Sequence, residues 1–445
     1  MHRPFSKRRR RLPLRQLLLL GSAASLVWAG CRVRRDAPEG PAAGLIVAPV
    51  ASFLQREQIA VRDAGPDGDP LVDAGDPPEG SFVLVFGGLD SAPERPQSEH
   101  RAVRIALAAL AQGKSPVDAA VEGVAVLEDD PERNAGLGSS IRIDGVTVQM
   151  DAAVMTEDGR FGAVAALSRV RNPVRVARGV FDTDQRVLTG LGAQQFARGL
   201  GYADFDPVTA QAKSTYQALL AAELARDAGS SSLLPKGWQM WVDASAWLAD
   251  GGAEVAEADA AADAALAVDD PADAATEAAA TPPPAPPKPP PKMPGPKAPA
   301  FAGDASVPSG PGGHDTVAAL VRSAAGGFAG AVSSGGPPLT LPGRVGDVPT
   351  PGAALWVGKR GAVAITGPGE RIVDLGLARA VYERLVALRS TKLAAAWGAK
   401  QLPAGAAVSV AVVDGRSFAV EPADAMAWVG SEGDKTSESA TERKP

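Results

Sequence analysis

The sequence predicts an α+β fold in which two β-sheets form the core and helices cover both outer faces. Apolar runs of strand length recur along the chain, at 81–86, 146–154, 316–321, 327–332, 362–365 and 408–413. Two further stretches, 97–128 and 375–388, carry apolar residues at helical spacing. A chain of 445 residues can bury a large core. Strands flanked by helices in this order favour two sheets covered by helices on both sides.

Composition excludes some classes of partner and describes the core. The formal net charge is −6, and no basic stripe follows the N-terminal leader, so we expect no nucleic-acid partner. Aromatic residues make up only 5% of the chain, so the core must consist mostly of Ala, Val and Leu. Cys31 is the single cysteine, which excludes intrachain disulfides.

The N-terminal segment 1–31 is typical of an export signal. A cationic run, Lys7–Arg11, precedes an apolar run, Leu17–Val27, that is too short to span a membrane comfortably. The segment ends in Ala-Gly-Cys31, which resembles a bacterial lipobox, although Trp28 stands where a branched aliphatic residue is usual. We therefore expect export to the cell envelope, in the periplasm or at the outer membrane, with a lipid anchor on Cys31 as the only membrane contact. An ordinary signal peptide with an incidental cysteine is the alternative.

Low-complexity segments divide the remaining chain. Residues 32–80 are rich in Pro, Gly, Asp and Ala, which is typical of a disordered tether. Residues 227–313 form an Ala/Pro-rich stretch that cannot bury enough apolar surface to fold, and we expect a linker there. Residues 431–445 form a charged tail. This division leaves 81–226 and 314–430 as the two parts of one folded domain.

Hydroxyl side chains, Gly-rich turns and one Arg/Asp pair recur at the ends of successive predicted strands. The residues concerned are Asp315-Thr316, Ser334-Gly335-Gly336, Gly343-Arg344-Val345-Gly346-Asp347 and Thr366-Gly367. Strand ends that lie side by side are a usual place for a site. Alone, Thr316 would be an ordinary β-forming residue, and an Arg/Asp pair would be a surface ion pair. Their recurrence favours a site.

These motifs resemble the Thr-dependent N-terminal-nucleophile hydrolases, in particular the plant-type asparaginase, isoaspartyl peptidase and glycosylasparaginase family. The Gly-Arg-Val-Gly-Asp turn that contains Arg344, its spacing from Thr316, and the later Thr-Gly carry the resemblance. It extends back through Asn134-Ala-Gly and Met150-Asp-Ala to about residue 81. The resemblance implies a four-layer αββα sandwich, with 81–226 as the α-subunit part and 314–430 as the β-subunit part.

The resemblance also implies a mechanism that the residues permit. A Thr hydroxyl needs a base, and cleavage of the Asp315–Thr316 bond would free an α-amine with an ordinary pKa near 8 to act as that base. The implied roles of the other residues are as follows: Ser334 hydrogen-bonds Thr316, Thr366 and Gly367 hold the oxyanion, Asn134 lies near the nucleophile, Arg344 clamps the substrate carboxylate, Asp347 holds its ammonium, and Gly335 and Gly336 admit substrate to the backbone.

By this resemblance, the chain is a self-cleaving hydrolase of L-asparagine or β-aspartyl peptides that needs no catalytic cofactor or metal. A structural Na⁺ held by backbone carbonyls, and a homodimer of cleaved protomers, are further implications. Two alternatives stay open: a glycosylasparaginase or Thr endopeptidase of the same fold, and a catalytically silent surface lipoprotein. Phe86, in place of a His, and Ala318, in place of a Gly, depart from the family pattern and bear on activity.

Overall fold

The computed structural model describes residues 79–225, 234 and 316–439, except for residues 90, 94, 404–405, 423–425 and 433–434. All of them lie in one folding unit, Val50–Pro445. The leader with Cys31, the tether, nearly all of the 227–313 linker and Asp315 lie outside the described residues. The predictions made for those segments therefore stay predictions.

The described residues form helices and strands in alternating groups. The strands are β1 Phe82–Phe86, β2 Met150–Thr156, β3 Phe161–Leu167, β4 Val187–Thr189, β5 Thr316–Arg322, β6 Phe328–Ser334, β7 Leu355–Gly358, β8 Gly361–Thr366, β9 Ser409–Asp414, β10 Phe418–Glu421, β11 Trp428–Glu432 and β12 Lys435–Glu438. The helices are α1 Gln97–Ala111, α2 Pro116–Glu128, α3 Pro173–Phe181, α4 Gly190–Gly199, α5 Ala210–Leu224, α6 Gly369–Leu375, α7 Leu377–Leu388 and α8 Thr391–Ala399. The predicted α+β class is confirmed.

The strands form two sheets. The larger has the order β12-β11-β1-β5-β6-β2-β3-β4, and the smaller has the order β10-β9-β8-β7. Every neighbouring pair is antiparallel except β3 and β4, which are parallel. The central strands β5 and β6 of the larger sheet are buried along their whole length.

Local sequence signals set the start of helix α2. Helix α2 begins after Ser115, whose Oγ accepts a hydrogen bond from the Asp118 backbone N–H at 3.3 Å. Pro116 occupies the first helical position, where a missing N–H costs nothing. Helix α2 then buries an apolar face that includes Val117 and Val124.

The alternation of side chains along each strand builds three separate apolar clusters. In β5, Val317 and Ala319 join a cluster with helices α1, α2 and α3, whereas Ala318 and Leu320 join a second cluster with strands of the smaller sheet. In β8, alternate residues belong to the second cluster and to a third cluster with α7 and α8. Strands β5 and β8 are therefore covered on both faces, which explains their continuous apolar runs.

The structure corrects three details of the sequence prediction. The predicted 146–154 strand begins only at Met150, and residues before it form an isolated bridge between Ile141 and Val148. Helix α8 was not predicted. The 431–445 tail is not wholly outside the domain, because β11 ends at Glu432 and Lys435–Glu438 forms the edge strand β12. All of β12 is exposed, so this strand shows no apolar alternation in the sequence.

Each helix in the described part of the chain is too short or too polar to cross a bilayer.

Candidate active site

Three hydroxyl residues meet where strands of the two sheets end. Thr316 is the first residue of β5 and stands directly opposite Ser334, the last residue of β6. Thr366 is the last residue of β8 in the smaller sheet. The Thr316 backbone N–H donates a hydrogen bond to Thr366 Oγ1 at 3.1 Å. All three residues are buried. The structure thus brings these three candidate residues together.

Thr316 and Ser334 open onto a polar pocket, whereas Thr366 is not among the residues that line it. Its lining consists of Thr316, Ser334, Gly336, Pro337, Arg344, Asp347, Gly367 and Gly369. Six of these eight were candidate site residues from the sequence, and Pro337 and Gly369 were not. Gly367 therefore shares the pocket with Thr316, as its expected role at the oxyanion requires.

The turn after β6 packs tightly because it is made of glycines. Ser334 Oγ accepts a hydrogen bond from the Gly336 N–H at 3.0 Å, and Gly336 has a φ of +71°. A β-carbon on Gly336 would lie 2.9 Å from Arg142 Nη1 and 3.1 Å from Arg344 Nη1. Gly336 thus allows two guanidinium groups to approach the pocket wall.

Asn134 lies behind this turn and supports it. Its carbonyl accepts from the Gly335 N–H at 2.7 Å, and its Nδ2 donates to the Gly336 carbonyl at 2.9 Å. Its Oδ1 accepts from the Ser140 N–H at 2.9 Å. Gly335 is required here, because a β-carbon on it would lie 2.3 Å from Asn134 Oδ1. Asn134 and Gly335 do not line the pocket, so their placement fits support of the turn rather than contact with a ligand.

Arg344 is oriented by an ion pair at the pocket edge. Its Nε and Nη2 lie 3.0 and 2.8 Å from Glu370 Oε1. The Arg344 side chain is only 14% exposed, whereas that of Glu370 is 62% exposed. Glu370 therefore holds one edge of the guanidinium from the solvent side. The group's Nη1 points toward Gly336 and Gly346.

Asp347 carries a buried carboxyl group in the same pocket. Within the described parts of the chain, its Oδ2 has no hydrogen-bond partner. The pKa of Asp347 is raised to about 7, mainly by burial and to a smaller extent by the charges of Asp151 and Glu370, while the charge of Arg344 opposes this rise. A β-carbon on Gly369 would lie 2.8 Å from both Asp347 Oδ1 and Arg344 Nη2. The gap between this acid and this cation is thus kept open by a glycine.

Two residues that depart from the family pattern lie beside the nucleophile position. Phe86 and Ala318 stand directly opposite each other on β1 and β5, and both are fully buried in the cluster between the sheets. Ala318 is an ordinary strand residue, because it does not have a positive φ. The backbone conformation at this position therefore does not require a glycine.

The loop before Asn134 gathers backbone carbonyls. A β-carbon on Gly138 would lie 2.1 Å from the Arg133 carbonyl oxygen and 2.6 Å from that of Pro131. A β-carbon on Gly136 would lie 2.3 Å from the Glu128 carbonyl oxygen. Hard cations prefer oxygen ligands of this kind. Among the residues that the structure describes, no cluster of His, Cys, Asp or Glu has the makings of a metal site.

The sequence alone assigns no role to Glu370 or Asp151. Glu370 follows the Thr366-Gly367 motif closely, and its contact with Arg344 spans 26 residues. Asp151 reaches Gly346, which is 195 residues away. Contacts at such separations leave no periodic signal, so only the folded structure reveals them.

Comparison with known proteins finds a matching family model and several similar proteins. A family model described as Asparaginase matches residues 90–240 and 285–417. The plant-type L-asparaginase of Pyrococcus abyssi is 39% identical over 145 residues, which cover 31% of this chain and 47% of that protein. The isoaspartyl peptidase/L-asparaginase of Danio rerio is 44% identical over 128 residues, covering 27% and 40%. The human protein of the same name is 39% identical over 128 residues, covering 27% and 41%.

The chain thus spans less than half the length of these relatives in each alignment. The family model, in contrast, matches on both sides of Thr316 and covers well over half of the chain. The unmatched interval, 241–284, falls inside the Ala/Pro-rich stretch. The chain therefore belongs to the asparaginase family that includes the plant-type L-asparaginases and isoaspartyl peptidases.

Proposed function

We propose that the protein is a self-cleaving Thr hydrolase that cuts the side-chain amide of L-asparagine or of β-aspartyl peptides and releases L-aspartate. One observation carries this proposal: Thr316 shares a pocket with Arg344 and with the buried carboxyl of Asp347, whose Oδ2 has no hydrogen-bond partner among the described residues. A ligand with both a carboxylate and an ammonium group, as at the α-carbon of an amino acid, would satisfy both side chains. Its own side-chain amide then lies toward the Thr316 hydroxyl.

The first reaction is cleavage of the chain itself. Thr316 Oγ attacks the carbonyl carbon of Asp315, and the peptide nitrogen leaves as the amine of Thr316, so that an ester replaces the amide. Water then hydrolyses the ester and releases the Asp315 carboxylate and the Thr316 hydroxyl. The 3.1 Å hydrogen bond to Thr366 would hold the new amine beside the strand end.

The second reaction uses the freed amine as the base. The amine accepts the proton of Thr316 Oγ as the oxygen attacks the substrate amide carbon. The amine then passes the proton to the departing ammonia or peptide amine, which leaves a β-aspartyl ester on Thr316. Water hydrolyses this ester to L-aspartate. The Thr366 hydroxyl and the Gly367 N–H would stabilise the oxyanion in both steps, and Ser334 would hydrogen-bond the nucleophile.

The pocket also separates the alternative functions. An endopeptidase substrate has no free ammonium and carboxylate on the residue that is cut, so it would leave Asp347 and Arg344 unused. Glycosylated asparagine carries both groups and stays a candidate substrate of the same site. A silent scaffold would have no need to bury a carboxyl whose Oδ2 has no hydrogen-bond partner among the described residues, because such a group is costly.

Several further features belong to this proposal. The three apolar clusters support a four-layer αββα sandwich, because each cluster would fill one of its three interfaces. A structural Na⁺, implied by relationship to the family, would be held by backbone carbonyls of the loop before Asn134 and would brace that loop. By relationship to the family, we also propose a homodimer of cleaved protomers. The leader supports envelope localisation through Cys31.

Intact-mass analysis with N-terminal sequencing tests the proposal. Self-cleavage yields a C-terminal fragment that begins with Thr316 and ends with Pro445, and it is the smaller of the two products. Thr316→Ala should remain uncleaved and release no aspartate from L-asparagine or a β-aspartyl dipeptide, whereas Thr316→Ser keeps a hydroxyl and should cleave. A fully cleaved Thr316→Ala protein would refute the assignment of the nucleophile. An intact wild-type chain without hydrolysis would support the silent scaffold.

A further inference from the structure

We infer that Asp151 is a positioning residue that holds the loop carrying Arg344 and Asp347 in the shape needed to bind substrate. This inference rests on the proposed function and deepens it, because it concerns how the same pocket recognises its ligand. It assigns a role to a buried carboxylate that lies beside the pocket without lining it.

Asp151 belongs to the same row of side chains as the nucleophile position. Thr316 stands opposite Ser334 across β5 and β6, and Ser334 in turn stands opposite Asp151 across β6 and β2. Side chains of opposed residues project from the same face of a sheet. The row therefore runs from Thr316 through Ser334 to Asp151.

Both oxygens of the Asp151 carboxylate are used by backbone N–H groups. Oδ1 accepts from the Ala166 N–H at 2.8 Å, and Oδ2 accepts from the Gly346 N–H at 3.1 Å. Gly346 lies between Arg344 and Asp347, so this second bond ties the middle of the substrate-binding loop to strand β2. The loop is thereby fixed to the sheet that also carries Thr316.

The backbone around Asp151 is irregular in a way that indicates a local requirement. The pairing of β2 with β3 shifts register between Met150 and Ala152, because two steps along β2 there face three steps along β3, from Leu167 to Val164. Ala166, which donates to Asp151, has a φ of +47°, a conformation that non-glycine residues rarely adopt. Bulges and strained residues concentrate next to functional sites, where they aim a particular side chain. Here both irregularities lie on β3 and direct the Ala166 N–H at the Asp151 carboxylate.

The charge of Asp151 acts on the same loop. Burial raises the pKa of Asp151, whereas its two N–H donors and the guanidinium groups of Arg142 and Arg344 lower it. The charged groups around Asp347 are Arg344 on its own loop, Asp151 on β2 and Glu370 on α6. A negative Asp151 therefore makes Asp347 harder to ionise. Asp151 thus affects both the shape of the loop and its charge.

Gln149 contacts the same loop and supplies a matched control. Its Oε1 accepts from the Gly343 N–H at 2.6 Å, one residue before Arg344. Gln149 therefore holds the start of the loop through a neutral hydrogen bond. A variant of Gln149 removes a tether without removing a charge, whereas Asp151→Asn removes a charge and leaves one acceptor for two N–H donors.

The experiment compares Asp151→Asn, Gln149→Ala and wild-type protein after self-cleavage, with L-asparagine as substrate across a range of pH. Asp151→Asn should raise KM by about tenfold or more with a smaller change in kcat, because the loop positions substrate before the reaction. It should also lower the pH below which KM rises, because Asp347 ionises more readily. Gln149→Ala should raise KM at every pH without changing the pH below which KM rises. The inference would be overturned if KM began to rise at the same pH in wild type and Asp151→Asn, or if Asp151→Asn left KM unchanged.

Hydrogen exchange gives a second test that needs neither activity nor a folded variant. In wild-type protein, the amide of Gly346 should exchange slowly, at rates similar to those of the β6 ladder. Exchange at the rate of an unprotected loop would overturn the inference even if Asp151→Asn fails to fold. This test also separates the two proposals, because a wild type that releases no aspartate refutes the proposed function while the exchange rate of Gly346 still decides the tether.

Discussion

The two halves of the site are built differently. The nucleophile half, consisting of Thr316, Ser334 and Thr366, lies at strand ends, and its register is fixed by the β-ladder. The binding half, consisting of Arg344 and Asp347, lies in the irregular loop between β6 and β7. Side-chain contacts from Asp151 to Gly346, from Gln149 to Gly343 and from Glu370 to Arg344 hold the part of this loop that carries both residues.

This difference separates the expected effects of mutation. Ladder hydrogen bonds continue to hold a strand end when one side chain is changed, so variants in the nucleophile half should alter kcat with little change in KM. A loop held by single contacts shifts when one of them is lost, so variants in the binding half should alter KM. Any variant that crosses this division would show that the two halves are coupled.

The largest effect is expected from Thr366→Val, which removes a hydroxyl at nearly constant volume. If this hydroxyl stabilises the oxyanion, kcat should fall on the order of 10²–10³, with KM nearly unchanged. Steady-state kinetics on material that has already cleaved itself would measure this loss. Thr366→Ser, which keeps the hydroxyl, is the matched control.

A change in KM as large as the change in kcat would contradict the division, because it would place Thr366 in substrate binding. An unchanged kcat would leave the 3.1 Å contact with the Thr316 nitrogen as a structural hydrogen bond only.

A smaller effect is expected from pH acting on the binding half. Burial raises the pKa of Asp347 to about 7, so the group is neutral below that pH and ionised above it. Only the ionised form attracts a substrate ammonium. KM for L-asparagine should therefore rise by about tenfold for each pH unit below 7 and stay level above it.

Two variants separate Asp347 from other titrating groups. Asp347→Asn should give a high KM that no longer depends on pH in this range. Arg344→Lys keeps the positive charge near Asp347 but loses the planar fork, so KM should rise at every pH while the midpoint stays in place. A wild-type KM that is constant from about pH 5 to pH 8 would remove Asp347 ionisation from binding.

The same division explains how much was predictable from the sequence. The α+β class and six of the twelve described strands followed from apolar runs, because strands buried on both faces read as continuous apolar runs. Thr316, Ser334 and Thr366 were predictable, because a strand end brings its hydroxyl to the sheet edge. Strand β12 was not predicted, because an edge strand exposed on both faces needs no apolar residues.

The support of the loop was not predictable, for a physical reason. Asp151, Gln149 and Glu370 act on residues 26–195 positions away, through single hydrogen bonds to backbone or guanidinium groups. Such contacts depend on the packing of the whole domain and impose no local spacing. The family motif located Arg344 and Asp347, but only the folded chain shows what holds them.

The smallest effect is expected from Ala318→Gly, which restores the residue that the family pattern contains beside the nucleophile. Ala318 is in a regular strand, opposite Phe86, and fully buried. Glycine within a strand loses conformational entropy on folding and removes a packed methyl, so the variant should be less stable by about 1 kcal/mol. Thermal unfolding of the cleaved protein measures this loss, and the rate of self-cleavage should stay within about twofold of wild type. A markedly faster self-cleavage would mean that the methyl obstructs Thr316, and the nucleophile half would then depend on side-chain packing as the binding half does.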